Sequence, residues 1–238
     1  MLPGDALRRP LPAPSWPRVA RLLPPLIFAT AVCGGLLLLR CGWARQLRFA
    51  GFFFNLILAW IPLGLTMAIH WLRAAAVPRQ RWLWFCVVCW FLFFPNASYI
   101  VTDMVHLGKY SKDGVPKWFD IVLIMAHACT GLFLGCVSLG EMESMVRARM
   151  GKRLGWFFSV GMLALASIGI YLGRFLRLNS WDVFVRPWKI AASLSDLTQP
   201  TKALDVFAFS VTFFLFSLGV YWFIASATRL ADHDQRAL

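Results

Sequence analysis

Charge is missing from six long stretches of this chain, and that exclusion constrains its fold more than any other feature. The stretches run Leu22–Leu39, Ala50–Leu72, Trp82–Val101, Trp118–Gly140, Leu154–Gly173 and Leu204–Ala227. At about 1.5 Å per helical residue, each is long enough to cross a hydrocarbon layer of about 30 Å. Among 24 Lys+Arg and 11 Asp+Glu, only Asp120 and Asp205 fall inside them, each within one turn of a helix start. Random placement would put about half of the charges there, and a charge at the bilayer centre costs several kcal/mol. The chain therefore reads as all-α, a polytopic bundle of six membrane-spanning helices, with the lipid bilayer as its first partner.

Composition fits this reading. Apolar residues make up 59% of the chain and charged residues 15%, against about a quarter charged in soluble domains. That excludes a disordered chain and argues against a soluble enzyme. The net charge of +13 would suggest nucleic acid in a polar protein. Here it describes basic loops beside anionic lipids, and no nucleic-acid partner is expected. Trp43, Trp71, Trp82, Trp84, Trp118 and Trp156 stand near span ends, where indole rings favour the headgroup zone.

Residues 1–21 hold five prolines and four arginines and read as a basic, unpacked tail; residues 22–228 read as one six-helix domain, and 229–238 as a short polar tail. The first apolar run continues past Cys33 into Arg40 without a small-x-small cleavage site, unlike a signal peptide. Lysines and arginines divide almost evenly between the two sides, with a slight excess that places both termini in the cytoplasm. Five of the six cysteines lie inside spans and behave as small apolar residues.

Polar residues gather where spans three and four meet water and where span five ends. From Pro95 onward, helical spacing sets Asn96, Tyr99, Asp103, His106 and Tyr110 on one side, with Pro95 expected to kink the helix or begin a new one. On span four, Asp120, His127, Gly131 and Ser138 share a face, which in a membrane helix points inward or to a wet cavity. Arg174 and Arg177, three apart, offer a forked cationic surface beside Asn179 and Asp182. From Pro187 to Gln199, amphipathic spacing predicts a short helix lying on the membrane surface. Connectivity places all of these polar ends on one membrane face.

Three segments carry a family resemblance: Phe94-Pro-Asn-Ala-Ser-Tyr-Ile-Val-Thr-Asp-Met-Val-His-Leu107, Trp118-Phe-Asp120 with Gly131 to Leu139, and Gly173-Arg-Phe-Leu-Arg-Leu-Asn-Ser-Trp-Asp182. They resemble the bacterial membrane-protein family catalogued as domain of unknown function 1361, over about residues 50–225. Ser98 stands where the family more often has Pro, and Leu178 where it more often has an aromatic. The resemblance implies a polytopic protein of the bacterial inner membrane and names no reaction and no cofactor.

Asp103, His106 and Asp120 are candidates for general acid/base catalysis or for a metal site. Asn96, Tyr99, Arg174, Arg177, Asn179 and Asp182 are candidates for holding an anionic lipid headgroup or a small ligand. An Asp–Arg structural network would use the same residues. Transport of a small solute or ion is an alternative, with His127 and Ser138 beneath a polar mouth. A non-catalytic assembly subunit is a third reading, with the GxxxG pairs Gly131–Gly135 and Gly169–Gly173 as helix contacts, including contacts in a homo-oligomer.

Overall fold

The computed structural model describes residues 16–45, 49–74, 80–106, 114–178, 182–189, 191 and 200–237. Among them are α1 (Trp16–Ala44), α2 (Ala50–Ala74), α3 (Gln80–Tyr99), a 3-10 segment (Ile100–His106), α4 (Lys117–Met150), α5 (Lys152–Phe175), α6 (Asp182–Val185) and α7 (Pro200–Ala237). No strand occurs among the described residues. Six of the helices are long and apolar enough to cross a membrane, so the protein is a multi-pass membrane protein built from helices. Trp43, Trp71, Trp82, Trp84 and Trp118 are all exposed, as rings at a headgroup boundary should be.

The outer helices run further than the apolar stretches. Helix α1 begins at Trp16, inside the segment read as a tail, because Pro17 suits a first helical turn and Val19 continues the buried face. Residues 1–15 lie outside the described residues. At the other end, α7 carries helix through the expected polar tail to Ala237. The surface helix expected from Pro187 to Gln199 falls largely outside the described residues. A single helical turn, α6, precedes it.

The chain forms two compact units, residues 1–142 and 143–238, with the boundary inside α4. At 34 residues, α4 is about 51 Å long, so its ends outreach the hydrocarbon. It turns into α5 at Gly151, whose φ of 92° only glycine adopts without strain.

In the first unit, one core cluster joins Val19, Leu26 and Cys33 of α1 to Leu56, Ala59 and Leu63 of α2, Ala97 of α3, Ile100 of the 3-10 segment and Leu134 of α4. Helices α3 and α4 approach so closely that a Cβ on Gly131 would lie 2.4 Å from the Ala97 carbonyl oxygen. Gly131 and Gly135 of the first GxxxG pair therefore make a close helix contact within this unit. Polar groups bind the same helices together. Trp90 Nε1 donates to Ser138 Oγ at 2.8 Å, Ser138 bonds Thr66 at 2.9 Å, and the Thr66 hydroxyl bonds the Pro62 carbonyl at 2.9 Å. A membrane helix gains little from hiding apolar surface against its neighbours, so such bonds and close contacts hold the bundle.

The second unit centres on Glu143. This buried carboxylate accepts from the Ser159 hydroxyl of α5 at 2.7 Å, from the Tyr221 hydroxyl of α7, and from Arg147 one turn along α4. Tyr171, Phe175, Phe209 and Phe213 stack and meet edge to face between α5 and α7.

Candidate functional site at one face of the first unit

Helix α3 runs through Pro95 without restarting, and regular α-geometry ends instead at Tyr99. The β-branched run Ile100-Val101-Thr102 is a weak helix former, and the Thr102 hydroxyl bonds the Tyr99 carbonyl at 2.6 Å. The chain tightens there into a 3-10 segment. The single α-helical stripe expected from Asn96 to Tyr110 is therefore broken, since each 3-10 residue turns further about the axis. Asn96 bonds back to its own helix at the Phe93 carbonyl, 3.1 Å away. Tyr99 is half-buried. Asp103 is carried inward and is only 3% exposed. His106 closes the segment, but its side chain, like Tyr110 and Asp113, lies outside the described part.

Two carboxylates of this face have specific partners. Asp103 accepts from Asn55 Nδ2 of α2 at 2.9 Å. Asp120, in the first turn of α4, accepts from Arg40 of α1 through Nε at 2.7 Å and Nη2 at 3.4 Å. Arg40 is 1% exposed and lies 4.4 Å over the Phe49 ring. Pairing and stacking are what a buried guanidinium requires. Asp120 is thus the half-buried partner of the buried Arg40 in an ion pair that fastens α1 to α4.

From that pair a ladder of rings descends. Phe49 stacks on Phe52 at 5.4 Å, and Phe52 meets the His127 ring edge to face at 5.5 Å. His127 has no exposed surface. Its Nδ1 lies 2.8 Å from the Leu123 carbonyl. A carbonyl can only accept, so Nδ1 carries the proton and Nε2 of the neutral ring is a bare lone pair. Nε2 has no hydrogen-bond partner among the described residues. The Asp103 carboxylate acts electrostatically on this ring. Among the described residues the ring therefore bonds its own helix alone.

The remaining candidates belong to the second unit. Asp182 is buried and receives Lys189 Nζ at 3.3 Å, and the same ammonium caps the Arg177 carbonyl at 2.7 Å. Arg177, with φ of 54°, ends α5 with an exposed side chain; Arg174 is half-buried. Asn179 lies outside the described residues. No group of three or more His, Cys, Asp or Glu side chains among the described residues is placed to hold a metal ion.

Arg40 and Asn55 complete the site without having stood out in the sequence. Both left a signal. Asn55 is the one carboxamide inside the second span, and polar residues there face the interior. Arg40 is the first charge beyond span one, on the same face as Asp120.

No curated protein and no solved structure matches this chain. A family model described as a protein of unknown function (DUF1361) matches residues 54–222, which include Asn55, Asp103, Asp120 and His127 and leave out Arg40. With most of its length inside that match, the chain belongs to this family.

Proposed function

We propose that the protein binds a small hydrogen-bonding ligand at the membrane–water boundary, in a site formed by Asp103, Asn55 and His127 of the first unit. The observation that carries this reading is His127: a fully buried imidazole with its tautomer fixed and its acceptor nitrogen left over. An unsatisfied buried polar group costs about 1–3 kcal/mol, and an ionisable residue inside a membrane bundle is by default a functional one. Asp103 is buried and accepts a hydrogen bond from Asn55. The bacterial inner membrane, with both termini in the cytoplasm, is the setting we assign. Anionic lipids at the basic loops and a homo-oligomer remain its proposed partners. An anionic headgroup is better served by the exposed Arg177 of the second unit than by Asp103.

Purification in native lipid discs, with mass spectrometry of the co-purifying species, tests the reading. A small molecule or lipid enriched with the wild-type chain should fall about tenfold in Asp103→Asn, the loss of about 1.4 kcal/mol. No enriched species, or equal enrichment in both, refutes it.

A further inference from the structure

The end of α5 carries a basic surface in the second unit. From Arg174 to Lys189 the chain has four basic side chains and one carboxylate, Asp182. The carboxylate is turned inward, whereas Arg177 and Arg186 are exposed. Phe175, Val185 and Trp188, their neighbours along the chain, are exposed as well. Hydrogen bonds hold the two arginines on adjoining turns. The Arg186 amide donates to the Asp182 carbonyl at 2.9 Å, and the Lys189 amide to the Arg186 carbonyl at 3.0 Å. The Lys189 ammonium reaches back to the Arg177 carbonyl at 2.7 Å and to the Asp182 carboxylate at 3.3 Å.

Arg177 has φ of 54°, a left-handed conformation in which helices usually end on glycine. A β-carbon is strained there, so the backbone gains nothing from an arginine; its exposed guanidinium is what the position offers. The membrane-spanning part of α5 ends at Phe175, which sets Arg177 at headgroup depth, where Trp188 is also at home. A guanidinium there can take a phosphate in a forked pair. A zwitterionic headgroup adds an ammonium that this basic surface repels, and an anionic one does not. A soluble anion would leave Val185 and Trp188 in water, whereas a lipid covers both. We infer that the turn from Asp182 to Lys189, pinned to the end of α5, presents Arg177 and Arg186 to the phosphates of anionic phospholipid headgroups. This rests on the anionic-lipid partner proposed above and gives it a place, independently of the ligand at Asp103 and His127.

The test uses the full chain in phosphatidylcholine discs, with brominated phosphatidylglycerol titrated in as a quencher. The Trp188 fluorescence is taken as the difference from Trp188→Phe. Brominated phosphatidylglycerol should quench it at a lower fraction than brominated phosphatidylcholine does. Arg177→Gln and Arg186→Gln should each weaken that preference about fivefold, and Arg177→Lys should keep most of it. Arg177→Gly should also lose the preference, yet melt above the wild type in phosphatidylcholine alone, because the strained β-carbon is gone. Glycerol phosphate should not displace the lipid.

Equal quenching by the two lipids, or a preference that neither glutamine variant moves, overturns the inference. An Arg177→Gly chain that melts below the wild type makes Arg177 a structural residue and overturns it too. Displacement by glycerol phosphate would make the ligand a soluble anion and refute the lipid. Native mass spectrometry separates this failure from that of its premise. Bound phosphatidylglycerol that Trp188 does not sense refutes only this placement, and none bound anywhere refutes the anionic-lipid partner as well.

Discussion

Gly131→Ala should loosen the first unit more than any other single-methyl addition in its helices. A Cβ there lies 2.4 Å from the Ala97 carbonyl oxygen and 3.1 Å from Ile100 Cδ1. Ordinary van der Waals contact begins near 3.4 Å, so α3 must retreat by about 1 Å. The obstructing atom is backbone and cannot swing aside as a side chain would. Overpacking of this kind costs about 1–3 kcal/mol, and a backbone clash belongs at the upper end. At about 2–4 °C per kcal/mol, the melting temperature in lipid discs should fall by about 4–10 °C. Gly135→Ala, with its Cβ 3.1 Å from the Ala97 Cβ, should cost less. Gly64→Ala, with nothing within 4 Å, should be neutral or gain up to about 1 kcal/mol of helix propensity. Thermal unfolding followed by circular dichroism orders the three variants. Equal melting temperatures for Gly131→Ala and Gly64→Ala would refute the close α3–α4 contact.

Arg40→Met should cost about 1–3 kcal/mol, because it leaves the half-buried Asp120 carboxylate without its donor; adding Asp120→Leu should restore much of that loss, measured by the same unfolding assay. Tyr221→Phe removes a donor from the buried Glu143 carboxylate and should destabilise the second unit by about 1–3 kcal/mol, with Ser159→Ala acting in the same direction. Trp90→Phe should cost at least about 1 kcal/mol, since it takes the indole donor from Ser138 and shrinks a fully buried ring.

The spans were legible because the bilayer imposes one strong rule, the exclusion of charge, and Arg40, Asp103 and Asp120 sit close to where that rule places them. Helix extent was less legible. Trp16–Arg21 and the residues after Ala227 are helical in spite of their polarity, because a helix started by lipid continues at little cost. Pro95 misled in the other direction: a single missing N–H did not end α3, whereas the β-branched run five residues later did. For the site, the residue types were readable and the partners were not. Nothing in the spacing of one sequence says that Asp120 meets Arg40, 80 residues away, or Asp103 meets Asn55, 48 residues away. Nor does spacing reveal that His127 spends Nδ1 on its own helix and keeps Nε2 in reserve.

That Asp103 and His127 belong to a single ligand site is tested most directly by a double-mutant cycle on the species that co-purifies in native lipid discs, quantified by mass spectrometry for Asp103→Asn, His127→Gln and the pair together. Two groups bonding one ligand should each lose at least about tenfold, and the double variant should bind little more weakly than either single one. Losses that simply multiply, or singles that bind as tightly as the wild type, would contradict a shared site.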